Sequence, residues 1–383
     1  MDQCALLESR VVCQMQELAA AEESIDQIPS DVAAVVRNRL AVAVTERRAP
    51  LKTLRRSLAS PDAAPSVAMH WLNYLERQTQ CCEVFEESLP VLQGIALRLL
   101  GWDRGLCQVA DKLLTKLAHD AGMPWDHITL MAVGEEFRSI PQVIWIRYPA
   151  ASIWDLPIAA HELGHYLGPR LEKEQNGKTT RPLQDLLNDV KDAKAQHYLH
   201  ETMADAFAIY TLGPAYAYTC LLSRFDPATA YEDGDEHPSA AKRSHAILRT
   251  LERLDGGQFG TFSRMADSLR RTWDNTLALF GDRSSVVEEL GSVQIQSQDE
   301  QVMYRKLDGL LANMRYNNAD WQRCQELAQC LPGRMALPTT NSYDITDVLN
   351  AAWLARIVEV EQGSRKMAYL GRRALEICQT LAN

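Results

Sequence analysis

The sequence predicts a predominantly α-helical chain with a small β-sheet, and three observations carry that expectation. Apolar residues recur at helical intervals over most of the 383 residues, as Leu6, Leu7, Val11, Met15, Leu18 and Ala19 do near the N-terminus. The pattern changes between Asp126 and Ala150, where two β-prone runs stand close together. Soon after, His161-Glu162-Leu163-Gly164-His165 lies on a short helix bounded by turn residues. Three regions follow: a helical one over 1–122, a mixed core over 123–255 and a second helical one over 256–383.

The elements can be justified in chain order. A helix over residues 4–22 is followed by one starting at Asp31 and running through Val35, Val36 and Leu40 to about Arg48. Residues 64–87 and 89–121 show the same periodicity. Ile128 to Val133 and Val143 to Tyr148 read as strands separated by Gly134 and Pro141. The second strand either offers an edge to an extended peptide or is buried with no free edge. Asp155 is placed to cap the motif helix, Pro157 suits its first turn, and Gly168-Pro169 stops it.

A polar connection from Glu172 to Pro182 leads to a long helix from Leu183 through Leu186, Leu187, Val190 and Tyr198 to Leu212, ended by Gly213-Pro214. The run Ala206 to Leu222 carries no charge, but its Gly-Pro break, threonines and tyrosines fit a buried core helix, not a membrane span. Glu232 to Glu236 is an acidic loop without the alternating ligands of a calcium loop, so it reads as solvated. Pro238 opens a helix through Ile247 and Leu248. Phe262 to Phe280, Val302 to Met314, Trp321 to Leu331 and Ile345 to Leu381 are further helices, without a chemical motif.

Composition narrows the functional classes. A chain that is 46% hydrophobic and 23% charged suits a soluble globular protein. Its net charge of -10 argues against nucleic acid as the main partner, because phosphate binding needs a basic face. Arg47, Arg48, Lys52, Arg55 and Arg56 read as a solvated helix face. Nine scattered cysteines make neither a disulfide framework nor a metal knuckle, and Met1-Asp2-Gln3-Cys4 does not begin a secretory signal, so a cytoplasmic location is expected.

The chemistry concentrates in the pentapeptide. Two imidazoles four residues apart on a helix are separated by about 6 Å along the axis and about 40° around it, so His161 and His165 can reach one metal ion. Glu162 projects about 100° away from His161, suited to hold a water rather than to ligate. Catalytic zinc has three protein ligands, so a third is needed downstream. Glu201 is the candidate, with Asp205 one turn later to hydrogen-bond the far nitrogen of a ligating histidine. His197, a turn before Glu201, is its main competitor, and His200 is expected to point elsewhere.

Glu201, Ala204, Asp205 and Ala208 form a Glu-x-x-Ala-Asp-x-x-Ala string which, after His-Glu-Leu-Gly-His, resembles the gluzincin metallopeptidases. His237-Pro238, with Arg243 six positions after the histidine, is similar to a His-Pro-x4-Arg stretch of the HtpX and CAAX-prenyl endopeptidase family. The resemblance covers roughly residues 140–250 and implies a zincin-like metallopeptidase core. Members of that family are typically membrane-embedded or secreted, which this chain does not match.

The expected reaction is peptide hydrolysis with Zn2+ on His161, His165 and Glu201, and with Glu162 as general base. His237 would stabilise the developing oxyanion or simply cap and pack, and Arg243 would anchor the His237 loop through a carboxylate or aid the substrate. The expected partner is a protein or peptide substrate, with the helical flanks available to select it, to dock a regulatory protein or to restrain access. Two alternatives stand beside this reading. One is a zinc-stabilised binding or regulatory protein that cleaves nothing; the other is a helical scaffold without metal.

Overall fold

The computed structural model describes residues 3–60, 66–132, 136–138, 143–147, 152–175, 177–234, 237–280, 298–333, 342–361 and 367–383. The chain is mostly helical and divides into two compact units, 1–107 with 126–148 and 108–125 with 149–383. These bounds differ from the three regions read along the sequence. The strands belong with the N-terminal helices, and the C-terminal helices belong with the metal-motif helices.

In the first unit, α1 (Gln3–Asp26), α2 (Ser30–Leu58) and α3 (Val67–Leu99) pack on one another. Leu7, Val11, Leu18 and Ile25 of α1 bury one helical stripe against Val36, Leu40, Val44 and Leu51 of α2 and Val84 and Val91 of α3. The basic face of α2 meets acidic neighbours: Arg48 pairs with Glu22 at 2.6 Å and Arg55 with Glu8 at 3.6 Å. These pairs offset part of the positive charge of that face.

The helix α3 continues through Pro90, so the break expected near Leu89 falls instead at the turn before α4 (Leu106–Asp120). Gly101, Arg104 and Gly105 take positive φ there, and the Asp103 carboxylate accepts from the Gly105 and Cys107 amides.

Strands β1 (Thr129–Ala132), β2 (Glu136–Arg138) and β3 (Val143–Arg147) form a sheet ordered β1-β3-β2. β3 pairs parallel to β1 and antiparallel to β2. At Ile144 and Trp145 β3 is hydrogen-bonded on both sides, so that stretch has the buried structural place and no free edge for an extended peptide. Val133, Gly134, Pro141 and Tyr148 lie outside the described residues.

In the second unit, α5 (Ile158–Leu167) packs against α7 (Ala193–Leu212), and α7 packs against α9 (Ala240–Arg253). A hairpin of β4 (Lys173–Gln175) and β5 (Lys178–Thr180) and then α6 (Pro182–Asp189) connect α5 to α7. The single long helix expected from Leu183 is therefore two. Val190 turns extended, and Asp192 accepts the Ala195 amide at 2.7 Å, so a side-chain cap starts a new helix.

Asp155 also departs from expectation. Its carboxylate accepts from Ser152 Oγ at 2.7 Å and Arg224 at 3.3 Å, and α5 starts without a side-chain cap.

Gly213, at φ 64°, ends α7, and α8 (Pro214–Thr219) continues into a π-helical turn, Cys220–Arg224. A Cβ at Gly213 would lie 2.4 Å from the Tyr316 ring, so both the backbone and the space require glycine. Every residue from Glu201 to Leu221 is buried. No described helix is long and apolar enough to cross a membrane.

Beyond α9 come α10 (Thr261–Leu277), α11 (Gln298–Leu310), α12 (Asn318–Cys330), α13 (Ile345–Glu361) and α14 (Met367–Ala382). The helix expected over Ile345 to Leu381 is thus two. All nine cysteines are free.

Candidate metal centre

The site forms because α5 and α7 approach closely, and two small residues set that approach. A Cβ added to Gly164 would lie 3.0 Å from Ala204 Cα and 3.1 Å from its carbonyl oxygen, tighter than ordinary contact. Gly164 lies between the two histidines of α5, and Ala204 between the two carboxylates of α7, so this contact brings the four polar side chains face to face.

Gly164→Ala is therefore expected to push the helices apart by a few tenths of an ångström, to destabilise the fold by about 1–3 kcal/mol and to weaken metal binding. Thermal unfolding and metal titration check this. An unchanged melting point and affinity would mean that the close packing does not hold the centre.

The three side chains expected to ligate do converge. His165 Nε2 is 3.0 Å from His161 Nε2 and 3.1 Å from Glu201 Oε1, and His161 Nε2 is 3.5 Å from Glu201 Oε2. They are near enough to hold one metal ion. Glu201 Oε2 is buried without a hydrogen-bond partner, with Arg243 Nη1 3.7 Å away. His197 is exposed and outside the group.

A shell of partners orients these groups. Asp205 Oδ1 lies 2.9 Å from His161 Nδ1, so the imidazole donates from Nδ1 and turns Nε2 toward Glu201. Arg243, on α9, grips Asp205 with two bonds, Nε to Oδ2 at 3.0 Å and Nη2 to Oδ1 at 2.7 Å. It therefore braces the carboxylates of α7.

His237 Nδ1 is 3.1 Å from Glu201 Oε1, while its side chain is 62% exposed. It does not cap α9; Ser239 does, accepting from Lys242 N. Asp233 of the acidic loop accepts from Ser239 N and Lys242 Nζ, while Asp235 and Glu236 lie outside the described residues. Glu162 is buried on α5 next to His161.

Electrostatically the cluster calls for positive charge. Burial disfavours the charged form of His161, but Asp205 and Glu201 outweigh it and raise its pKa to about 9. Burial likewise opposes ionisation of Glu201 and Asp205. The adjacent imidazoles of His161, His165 and His237 hold Glu201 far below the usual carboxylate range, and Arg243 followed by His161 holds Asp205 at about 2. His165 is pushed down by burial and by His161. Two ionised carboxylates thus face one permanent cation, Arg243, and the remaining negative charge recruits a proton onto His161. A divalent cation could take the place of that proton.

Two neighbours were not anticipated from sequence. The Tyr216 hydroxyl donates to Asp205 Oδ1 and lies 3.1 Å from His161 Nδ1, with its ring stacked on the imidazole at 6.0 Å. His200, expected to point away, instead sets its ring 4.6 Å from that of His165, with Nε2 3.2 Å from the His165 carbonyl oxygen. Burial and then His165 push its pKa down to about 4, so it stays neutral and adds no charge.

Compared with known protein families, with curated proteins and with solved structures, the chain matches none.

Proposed function

We propose that this chain is a zinc-dependent endopeptidase of the gluzincin type, in which His161, His165 and Glu201 hold the ion and the surrounding helices form a zincin-like core. The observation that carries the reading is Glu201 Oε2, a buried anionic oxygen with no hydrogen bond that lies 3.5 Å from His161 Nε2, while Oε1 of the same carboxylate lies 3.1 Å from His165 Nε2. Leaving such an atom unsatisfied is costly, and a cation between the donors removes the cost.

The donor set supports zinc. Two imidazoles and one carboxylate are the protein ligands of one catalytic zinc class, in which a fourth position stays open. Zinc bonds of about 2.0–2.1 Å imply tetrahedral edges of about 3.3 Å. The separations of 3.0, 3.1 and 3.5 Å found here bracket that value.

When bound, zinc supplies Lewis acidity that makes water nucleophilic near neutral pH and polarises a carbonyl. Glu162 accepts a proton from the attacking water and delivers it to the departing amine. Asp205 keeps the His161 proton on Nδ1, leaving a lone pair on Nε2. Arg243 and Tyr216 fix Asp205 in turn. With His237 Nδ1 on Glu201, its Nε2 remains to donate to the oxygen that gains charge. The substrate is a protein or peptide, and the helices outside the centre select it.

The test is metal analysis with peptide cleavage on the whole chain. Purified protein should carry one zinc ion per chain and cleave members of a peptide library, and chelation should stop cleavage that added zinc restores. His165→Ala should lose both the zinc and the cleavage. Absence of bound zinc would overturn the proposal. Zinc retained without cleavage of any peptide would leave a metal-stabilised binding or regulatory protein.

A further inference from the structure

Away from the metal centre, the second unit contains an open cavity of about 830 Å³ among α8, α10, α12 and α13. Its volume lies within the range of pockets that enclose small organic ligands, about 300–1,000 Å³. The inner wall is aromatic and aliphatic: Tyr218, Leu269, Trp321 and Trp353 line the cavity and are themselves buried. Arg264, Ser268 and Thr272, one helical face of α10, line it as exposed residues and mark its mouth.

Arg356 is the polar feature of this wall. Its guanidinium lies over two indoles that meet edge to face, 4.6 Å from the Trp353 ring and 4.9 Å from the Trp154 ring. The Trp353 ring is itself fixed, because Nε1 donates to Thr219 Oγ1 at 3.1 Å and Trp154 packs edge-on at 5.4 Å. Contact with the rings does not exhaust the five N–H donors of a guanidinium, and among the described residues no carboxylate comes within ion-pair distance of it. The carboxylate of Asp155 acts on it only from farther away and is held by Ser152 and Arg224. Burial lowers the pKa of Arg356, the effect of taking a cation partly out of water.

A half-buried cation held against two indoles, with no carboxylate paired to it among the described residues and set in an apolar cavity with a second arginine at its mouth, defines a ligand with one anionic head and an apolar body. We propose that this cavity binds a small amphipathic carboxylate, an acyl or aryl acid, with its head on Arg356 and its body against Tyr218, Leu269, Trp321 and Trp353. The carboxylate supplies the charge-assisted bonds that the guanidinium edge can make, and the aromatic wall removes the apolar body from water. The site stands independently of the peptidase reading, since it shares no ligand residue with the metal centre.

Calorimetry on the full-length chain with decanoate and 4-phenylbutyrate, in the presence of a chelator so that no metal competes for the head group, tests it. At least one of the acids should bind, and the matching alcohol and the matching trimethylammonium compound should bind at least about tenfold more weakly. Arg356→Gln should weaken the acid about tenfold or more, and Ser268→Trp, at an exposed position, should block the mouth without disturbing the core. Arg264→Gln, also exposed, should weaken binding only slightly. Failure of both acids to bind, equal affinity for the alcohol, or uptake undiminished in Ser268→Trp with its fold intact would each overturn the assignment.

Discussion

Glu162→Gln is expected to leave the zinc content and the fold unchanged while lowering peptide hydrolysis by about 10²- to 10⁴-fold. The amide matches the carboxylate in shape, so the buried position on α5 keeps its packing. It cannot take up a proton at neutral pH, so the water loses its base and the departing amine loses its donor. Native mass spectrometry counts the zinc, and turnover of one library-derived peptide gives the rate. A variant that keeps its zinc and its turnover would remove Glu162 from the reaction.

Asp205→Ala should destabilise the protein by about 3–5 kcal/mol, the cost of leaving one partner of a buried ion pair alone. Asp205 is fully buried and engages Arg243 through two bonds, Tyr216 through a third and His161 through a fourth. Removing it strands the guanidinium inside the unit and frees His161 to turn, so zinc affinity should fall by about 10- to 100-fold as well.

The carboxyl is held at about 2, below its ordinary 3.8. Its contribution is therefore complete above the ordinary value and is lost only as the pH falls through about 2. Urea unfolding at neutral pH reads the effect. A shift under about 1 kcal/mol, the level of an exposed pair, would show that the network does not support the fold.

What could be read from the sequence was what is local. His161 and His165 share a helix face by periodicity, and Glu201 and Asp205 share another, so each pair was legible without knowing where its helix lay. Their meeting depends on Gly164 against Ala204, and the small residues that permit it were already within the motifs.

Tyr216 was not legible because a tyrosine in an uncharged run looks like core, and it is core; only the fold brings its hydroxyl to Asp205. The orientation of His200 depends on the separation of α5 and α7, which no spacing encodes. The central place of β3 was hidden for the same reason, since strand order is a property of the sheet. The division at residues 190–192 was open to sequence, as Asp192 has the chemistry of a cap, but the apolar periodicity on both sides masked it.

The carboxylate-bearing helix has no water-facing side from Glu201 to Leu212. On an ordinary surface helix roughly half the positions face solvent and can change at little penalty. Here each substitution meets packed neighbours, so only side chains of similar volume and polarity fit. Glu201 therefore rides on one of the least mutable stretches of the chain, and in any lineage descended from it this segment would be among the slowest to diverge.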